Sequence, residues 1–286
     1  MSERTLTLDG VDLCFEAYGA RADPVVLLIA GGGQSMDWWE VEFCHRLAAV
    51  GRHVVRYDHR DTGRSSTSPA GEPSYTAADL ARDPLRILDH LAVERAHLVG
   101  LSMGGGIAQQ LTILHPDRVR TLTLMSTSPA GPGDDDNGLP PMDPQLAATF
   151  TDPAPEPDWQ DQDAVVTYRV EVERPFGGTM RFDEGRVRRI ATREVTRTHN
   201  MAASMTNHFL VEDGWSQRSR LSEISVPTLV MHGTADPLLP FGHGVALARE
   251  IPGARLVPLD GMGHQQPPPE LWDLVIASLA EHTAAG

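Results

Sequence analysis

The sequence predicts an α/β protein in which an eight-stranded, mostly parallel sheet is flanked by helices and interrupted once by a helical insertion. Three observations predict this class. Short, continuous apolar runs alternate with helix-like segments along most of the chain. The alternation stops from about residue 127 to residue 221 and then resumes. The 286 residues are 41% hydrophobic, which is enough to bury the core of a large domain.

The strands are predicted from two patterns. Apolar and polar residues alternate over residues 5–8 and 11–15 on either side of the turn dipeptide Asp9-Gly10, which indicates an opening hairpin. The later runs are continuously apolar, as expected of strands that are covered on both faces. They predict six further strands over residues 25–30, 53–58, 97–101, 119–125, 227–232 and 254–259.

Helix-like segments separate most of these strands. They are predicted over residues 40–50, 77–91 and 107–114, with a last helix over 270–280. Alternation of strands and helices is typical of βαβ units, in which neighbouring strands run parallel. We therefore expect the carboxyl ends of the strands to meet at one edge of the sheet, where functional residues of such folds converge.

The long interruption is predicted to be an insertion. Residues 129–157, which include Asp134-Asp135-Asp136, are rich in Pro, Asp and Gly and are expected to form a loop. Helices are predicted over residues 164–173 and 184–209, the second from apolar residues at roughly helical spacing. The chain is accordingly divided into a core domain, residues 1–128 and 222–286, and a helical cap or lid, residues 129–221.

Composition and charge exclude several classes of function. The chain has 24 Lys and Arg against 39 Asp and Glu, and the resulting net charge of −15 repels phosphate backbones, so a nucleic-acid partner is not expected. Five arginines between residues 186 and 197 are expected to form a solvated basic face. The chain start lacks the apolar run of a secretory signal, and no apolar stretch is long enough to span a membrane. A cytoplasmic protein is therefore predicted.

Cysteine and histidine usage gives no sign of a metal or of disulfides. Cys14 and Cys44 are the only cysteines, and buried free thiols are expected rather than a disulfide. No spacing of Cys and His resembles a zinc site. We therefore expect the protein to need neither metal nor cofactor, while its oligomeric state is left open by the sequence.

The strongest chemical signal is a Gly-x-Ser-x-Gly pattern formed by Gly100, Ser102 and Gly104. It lies directly after a predicted strand and directly before a predicted helix, where a nucleophile is held in a sharp, strained turn. The glycines on either side avoid a clash of backbones, and the amide groups of the helix start face any negative charge formed there. Ser102 is therefore the predicted nucleophile.

A serine hydroxyl needs a base, and the base needs an acid that orients it. Asp236 follows the strand at 227–232, and His264 lies in the loop after the strand at 254–259, so the chain order is Ser, acid, His. We predict that these two residues complete a catalytic triad with Ser102. His232 is expected to pack or to hydrogen-bond locally, and Asp260 is the weaker candidate for the acid because it is close to His264 in sequence.

Donors for a tetrahedral oxyanion are expected in two places. The amide that follows the nucleophile is that of Met103. A second donor is expected in the glycine loop, which we define as residues 30–34, because glycine lets backbone N–H groups approach a substrate carbonyl. A dinucleotide-binding loop is excluded here because the sequence lacks the Gly-x-Gly-x-x-Gly order.

These motifs together resemble those of the α/β-hydrolase family. The resemblance is carried by Gly-Leu-Ser-Met-Gly-Gly at 100–105, Asp-His-Arg-Asp-Thr-Gly-Arg-Ser at 58–65, Gly-Thr-Ala-Asp-Pro at 233–237 and Gly-Met-Gly-His at 261–264. The 58–65 segment and the chain start are most similar to the aclacinomycin methylesterase group. The resemblance implies an α/β-hydrolase fold, an oxyanion hole formed by Gly32 and Met103, and hydrolysis of a carboxylic methyl ester.

Two positions depart from the family pattern. Ala30 stands where His is common before the glycine loop, and Asp61 stands where the family has the first glycine of Arg-Gly-x-Gly. Neither departure removes a catalytic atom. The 58–65 turn is expected to be scaffold, with a charge network there as a further possibility.

The sequence thus predicts a serine hydrolase that cleaves a small-molecule ester through an acyl-enzyme, and the family resemblance implies a bulky or polyketide-like methyl ester. A lactonase, a C–C bond hydrolase, a perhydrolase and a slow-turnover binding protein on the same scaffold remain alternatives. Apolar residues of and near the insertion could line the pocket or only pack the cap on the core; they are Trp38, Met201, Met205, Phe209 and Trp215.

Overall fold

One eight-stranded sheet forms the centre of the molecule. The computed structural model describes residues 3–129, 138–211 and 218–284. The strands are β1 Arg4–Leu8, β2 Val11–Tyr18, β3 Val25–Ile29, β4 His53–Tyr57, β5 Ala96–Leu101, β6 Val119–Met125, β7 Thr228–Gly233 and β8 Arg255–Leu259. Their order across the sheet is β1-β2-β4-β3-β5-β6-β7-β8.

The sheet is mostly parallel, as predicted. The opening hairpin β1–β2 is antiparallel, and β2 pairs antiparallel with β4, whereas every later pair is parallel. In the centre, Ile29 lies opposite Gly100, and Gly100 lies opposite Leu124. The carboxyl ends of β3, β5 and β6 therefore lie side by side.

The central strands are buried because helices cover both faces of the sheet. All five residues of β3 are buried, and successive side chains enter opposite hydrophobic clusters: Leu27 and Ile29 on one face, Val26 and Leu28 on the other. This alternation follows from the two-residue period of a strand. It explains why the sequence of β3 is continuously apolar.

Five helices flank the sheet: α1 Val41–Ala49, α2 Ala77–His90, α3 Met103–Leu114, α8 Gly242–Glu250 and α9 Trp272–Ala284. Apolar residues of α1 and α9 belong to the cluster on one face, and those of α2, α3 and α8 to the cluster on the other. Helix α8 was not predicted. Two glycines in its first three residues lower its helix propensity and hide it from a pattern search.

Between β6 and β7, the residues that the structure describes form four α-helices: α4 Pro144–Thr151, α5 Gln162–Glu173, α6 Glu184–Arg197 and α7 Met201–Thr206. Residues of α5, α6 and α7 form a separate hydrophobic cluster with Trp38. The three consecutive aspartates at 134–136 lie outside the described residues. The division into core and cap stays a prediction.

Two predictions for this segment are wrong. The helix expected over 184–209 ends at Arg197, and a new helix begins after Asn200, whose side chain accepts a hydrogen bond from the amide of Ala203. The loop expected over 129–157 contains helix α4, which begins at Pro144 and is capped by the side chain of Asp143.

The expectation of a solvated basic face on α6 is also wrong for two of its arginines. Arg186 and Arg197 are buried, and they form ion pairs with carboxylates of the sheet-forming part of the chain. Arg186 pairs with Glu40 at 2.7 Å, and Arg197 pairs with Asp58 at 2.7 Å. These arginines turn inward because acidic side chains face them, which a single-helix pattern does not reveal.

Cys14 and Cys44 are buried free thiols, as expected. Among the residues that the structure describes, no helix is long and apolar enough to cross a membrane.

Candidate active site

Ser102 lies at the turn between β5 and α3, next to the carboxyl ends of β3 and β6. Its backbone has φ 53° and ψ −119°, in the left-handed region that side chains other than glycine rarely adopt. Its amide donates to the carbonyl of Met125 at 3.0 Å, and its carbonyl accepts from the amide of Gly105 at 2.8 Å. The strained turn is therefore held from both sides, in the geometry expected of a nucleophile elbow.

The glycines around Ser102 are required by close packing of backbones. A Cβ at position 100 would lie 2.2 Å from the carbonyl oxygen of Gly104, and one at position 104 would lie 2.4 Å from that of Ile29. Both distances are far shorter than a van der Waals contact. Gly100 and Gly104 thus allow α3 to start directly against the sheet.

Ser102, His264 and Asp236 lie in one chain of hydrogen bonds. Nε2 of His264 is 2.9 Å from Oγ of Ser102, and Nδ1 of His264 is 2.9 Å from Oδ2 of Asp236. Because a carboxylate only accepts, Nδ1 carries the proton, and Nε2 is free to accept the proton of the Ser102 hydroxyl. The structure brings together the three residues that the sequence selected.

Asp236 is fixed and kept charged in this arrangement. Its Oδ1 accepts hydrogen bonds from the amides of Leu238 at 3.0 Å and Leu239 at 2.8 Å. Burial acts to raise the pKa of Asp236, but the charge and hydrogen bond of His264 outweigh it and hold that pKa below its ordinary value. The carboxylate is therefore available to stabilise a positive His264.

The two competing candidates make other contacts, although Nε2 of His232 lies 3.6 Å from Oδ2 of Asp236. His232 is fully buried, and its Nε2 donates to the carbonyl of Leu239 at 2.7 Å, which is the local role expected of it. Asp260 is exposed and accepts from the hydroxyl of Thr234 at 3.2 Å. Neither makes a hydrogen bond to Ser102 or His264 among the described residues.

Among the three consecutive glycines of the loop, residues 31–33, the two outer amides are hydrogen-bonded. The amide of Gly31 donates to Oε1 of Gln34 at 3.2 Å, and the amide of Gly33 donates to Nδ1 of His208 at 2.9 Å. The amide of Gly32, between them, has no hydrogen-bond acceptor in the part of the chain that the structure describes. This N–H is therefore free to bind an oxygen of a ligand.

Gly32 and Met103, the two predicted oxyanion donors, are neighbours. A Cβ built on Gly32 would lie 3.6 Å from Sδ of Met103. Met103 is the first residue of α3, so its amide has no carbonyl one turn earlier in the helix to bind. The two amides belong to adjacent segments at the edge of the sheet that holds Ser102.

Several residues that support the site were missed by sequence reasoning. Gln34 Oε1 also accepts from Nε2 of Gln266 at 2.6 Å, which ties the glycine loop to the loop of His264. His208 and Glu194 reach the loop after β3 from the insertion, and Glu194 accepts from the amide of Ser35 at 3.0 Å. Only Gln266, two residues from His264, had a position that could have suggested a role.

The apolar residues considered for the pocket divide into two groups. Trp38 and Met201 are buried in the cluster of α5, α6 and α7, and Met205 packs against it, so these three residues serve packing between Trp38 and the helices that follow β6. Phe209 is 70% exposed, and its ring edge would lie 3.3 Å from a Cβ on Gly32. Trp215 lies outside the described residues. Phe209 is thus the member of the set that borders the free amide.

A scan against protein-family models identifies a family described as the alpha/beta hydrolase fold, which matches residues 24–266. Two curated relatives are rhodomycin D methylesterases. The one from Streptomyces sp. (strain C5) is 35% identical and the one from Streptomyces peucetius is 34% identical, and each alignment covers 100% of this chain and 99% of the relative.

A solved structure of similar shape is that of the enol-lactonase from Burkholderia xenovorans LB400. The TM-score is 0.74 at 25% sequence identity, and the match covers 98% of this chain and 100% of that chain. The fold predicted from the sequence and the predicted resemblance to methylesterases are both confirmed.

Proposed function

This chain belongs to the family with the alpha/beta hydrolase fold, and from that membership and the arrangement around Ser102 we propose that it is a serine hydrolase of carboxylic esters. The observation that carries the proposal is the hydrogen-bonded series Ser102–His264–Asp236 beside the free amide of Gly32. Full-length similarity to two methylesterases supports an ester as the substrate.

Acylation begins when Oγ of Ser102 attacks the ester carbonyl while Nε2 of His264 takes the hydroxyl proton. Asp236 accepts the hydrogen bond from Nδ1 and stabilises the positive imidazolium. The carbonyl oxygen becomes an oxyanion that accepts hydrogen bonds from the amides of Gly32 and Met103. The imidazolium then gives its proton to the leaving alkoxide, which departs as an alcohol and leaves an acyl-Ser102.

Deacylation repeats these steps with water. His264 takes a proton from water, the hydroxide attacks the acyl carbonyl, and the same amides stabilise the second oxyanion. Collapse returns the proton from His264 to Oγ of Ser102 and releases a carboxylic acid. This cycle consumes one ester and one water and uses only side chains and amides of the chain.

The substrate class we propose is a methyl ester on a bulky carbon skeleton. Both methylesterase relatives match the whole chain, which supports methanol as the leaving alcohol. Phe209, exposed beside Gly32, offers an apolar surface for the acyl part of such an ester. The cytoplasmic location stays a prediction from the sequence.

The proposal is tested with p-nitrophenyl acetate and a set of aryl methyl esters, comparing wild type with Ser102→Ala. We expect the loss of Oγ to reduce turnover by about 10⁴-fold or more, because acylation then has no nucleophile. Ser126→Ala is the matched control: Ser126 also lies at a strand end with positive φ, and its hydroxyl makes no hydrogen bond within the described residues. Turnover that survives in Ser102→Ala would overturn the proposal.

Lactone hydrolysis is the second candidate, because an enol-lactonase has a closely similar fold. A lactone is a cyclic ester, so the same steps open its ring. Including lactones in the substrate panel distinguishes a methylesterase from a lactonase. A higher kcat/KM for lactones than for methyl esters would favour the lactonase. A covalent burst with an organophosphonate and no steady turnover of any ester would instead indicate a binding protein.

A further inference from the structure

His208, from the segment between β6 and β7, is hydrogen-bonded to the glycine loop. His208 is buried in the short turn Asn207–Phe209. Its Nδ1 accepts from the amide of Gly33 at 2.9 Å, and its Nε2 lies 2.8 Å from the carbonyl oxygen of Arg60. Because a carbonyl only accepts, Nε2 carries the proton, and Nδ1 is left as the acceptor that the Gly33 amide requires.

We propose that His208 is a positioning residue for ester hydrolysis, which holds the Gly33 peptide so that the neighbouring Gly32 amide faces the oxyanion. The inference rests on the proposed function. His208 touches no reacting atom in it, and acts through the backbone.

The reason lies in the freedom of glycine. The amide of Gly33 belongs to the same peptide plane as the carbonyl of Gly32, so the bond to His208 fixes the backbone on the carboxyl side of Gly32. The bond from the Gly31 amide to Gln34 fixes it on the other side. Without these bonds, consecutive glycines adopt many backbone conformations, and most of them turn the Gly32 amide away from a carbonyl oxygen.

The surroundings of His208 keep its ring neutral and in place. Burial lowers the pKa of His208 and outweighs the opposing influence of the Arg60 carbonyl and the Asp61 carboxylate. The rings of His59 and Tyr75 pack edge-to-face against it, with centroids at 5.6 Å and 6.2 Å. A neutral ring is required because an imidazolium has no acceptor for the Gly33 amide.

Three variants separate the two hydrogen bonds of the ring. His208→Ala removes both, His208→Asn keeps an acceptor near the position of Nδ1, and His208→Gln keeps a donor near the position of Nε2. The control is His282→Ala, which removes another buried histidine whose Nε2 is 3.1 Å from a backbone carbonyl, that of Leu122 in β6. Turnover of p-nitrophenyl acetate and hydrogen–deuterium exchange of the glycine loop are measured for each.

We expect His208→Ala and His208→Gln to lower kcat by about 10- to 100-fold with KM changed by less than about threefold, since oxyanion donors act in the transition state. His208→Asn should retain most of kcat, and His282→Ala should retain all of it. Exchange of the loop amides should rise only in His208→Ala and His208→Gln.

Equal kcat in wild type and the folded His208 variants would overturn the inference, and so would a parallel loss in His208→Asn. If the wild type turns over no ester, the proposed function fails, and loop exchange then decides the role of His208 by itself. In that case, hydrogen–deuterium exchange of the glycine loop that is the same in His208→Gln as in the wild type would overturn the inference.

Discussion

Arg197 of α6 and Asp58, which directly follows β4, form a buried ion pair with Nη2 and Oδ2 2.7 Å apart. Arg197 also pairs with Asp37 and, at 2.6 Å, with Glu3. Oδ1 of Asp58 accepts from the amide of Met36 at 2.9 Å, in the segment that follows the glycine loop. The same cluster of charges therefore joins the segment between β6 and β7 to two strand ends and to the segment that directly follows the glycine loop.

The first prediction concerns the stability contributed by this cluster. Arg197→Met should lower the free energy of unfolding by about 3–5 kcal/mol, because it leaves the buried carboxylate of Asp58 without its cation. Urea denaturation followed by circular dichroism measures the change. Arg188→Met is the matched control on the same helix: the side chain of Arg188 is 43% exposed and pairs with Glu184, so its loss should cost less than about 1 kcal/mol. Equal losses in the two variants would contradict the prediction.

The sheet and the sharp turn at Ser102 could be predicted because their signals are local. A fully covered strand has to be apolar along its length, and the turn at Ser102 needs its glycines within two residues on each side. Asp236 and His264 followed from their places after later strands. In each case the physical requirement falls on a short stretch of sequence.

The supporting contacts could not be predicted, because they join residues far apart in the chain. His208 and Gly33 are 175 residues apart, and Glu194 and Ser35 are 159 apart. The sequence around His208 contains no local pattern that would identify a distant amide as its hydrogen-bond partner. The arginines of α6 show the same limit: their spacing describes the helix, and only the opposing carboxylates decide which of them turn inward.

The second prediction addresses Asp236, the proposed acid of the triad. Asp236→Asn should lower kcat of ester hydrolysis by about 10³- to 10⁴-fold with little change in KM, because an amide neither orients the His264 ring in the required tautomer nor stabilises its positive form. Steady-state kinetics with p-nitrophenyl acetate measures it. Asp260→Asn, at the exposed alternative, should leave kcat unchanged. A larger loss of kcat in Asp260→Asn than in Asp236→Asn would show that Asp260 is the acid.

The third prediction concerns Gly100, two residues before the proposed nucleophile Ser102. Gly100→Ala should lower the free energy of unfolding by about 3 kcal/mol or more, because its Cβ would meet backbone atoms that cannot move without shifting α3. Thermal denaturation measures the loss. Gly185→Ala in the first turn of α6 is the control, since its Cβ meets only side-chain atoms at 3.4 Å and beyond. If Gly100→Ala leaves the free energy of unfolding unchanged, α3 can move away from the sheet.

The fourth prediction concerns pH. Burial, reinforced by the neighbouring His208, lowers the pKa of His59 to about 3, and its Nε2 bonds the carbonyl of Ala30 at 3.1 Å. Between pH 6.5 and pH 3 the unfolded chain binds a proton at His59 and the folded chain does not. The stability that this neutral ring contributes is therefore full above about pH 6.5 and is lost as the pH falls toward 3.

His59→Gln isolates this effect, because an amide does not titrate. Between pH 7.5 and pH 5, the difference in unfolding free energy between wild type and His59→Gln should narrow by about 2 kcal/mol. Urea denaturation at several pH values measures the difference, and the subtraction removes the contribution of all other groups. A difference that stays constant with pH would show that His59 is already protonated in the folded protein or titrates equally in both states.

The last prediction concerns Phe209 and the acyl side of the substrate. Phe209→Ala should raise KM for naphthoate esters by about 5- to 30-fold, equivalent to about 1–2 kcal/mol of lost apolar contact, and should leave KM for an acetate ester unchanged. Leu274→Ala is the control, since Leu274 is 45% exposed on α9 and tests the loss of any exposed apolar side chain. The kcat values distinguish contact with substrate from disturbance of the neighbouring His208. If kcat falls while KM is constant for both esters, Phe209 acts by holding the glycine loop, and its role as a substrate contact is wrong.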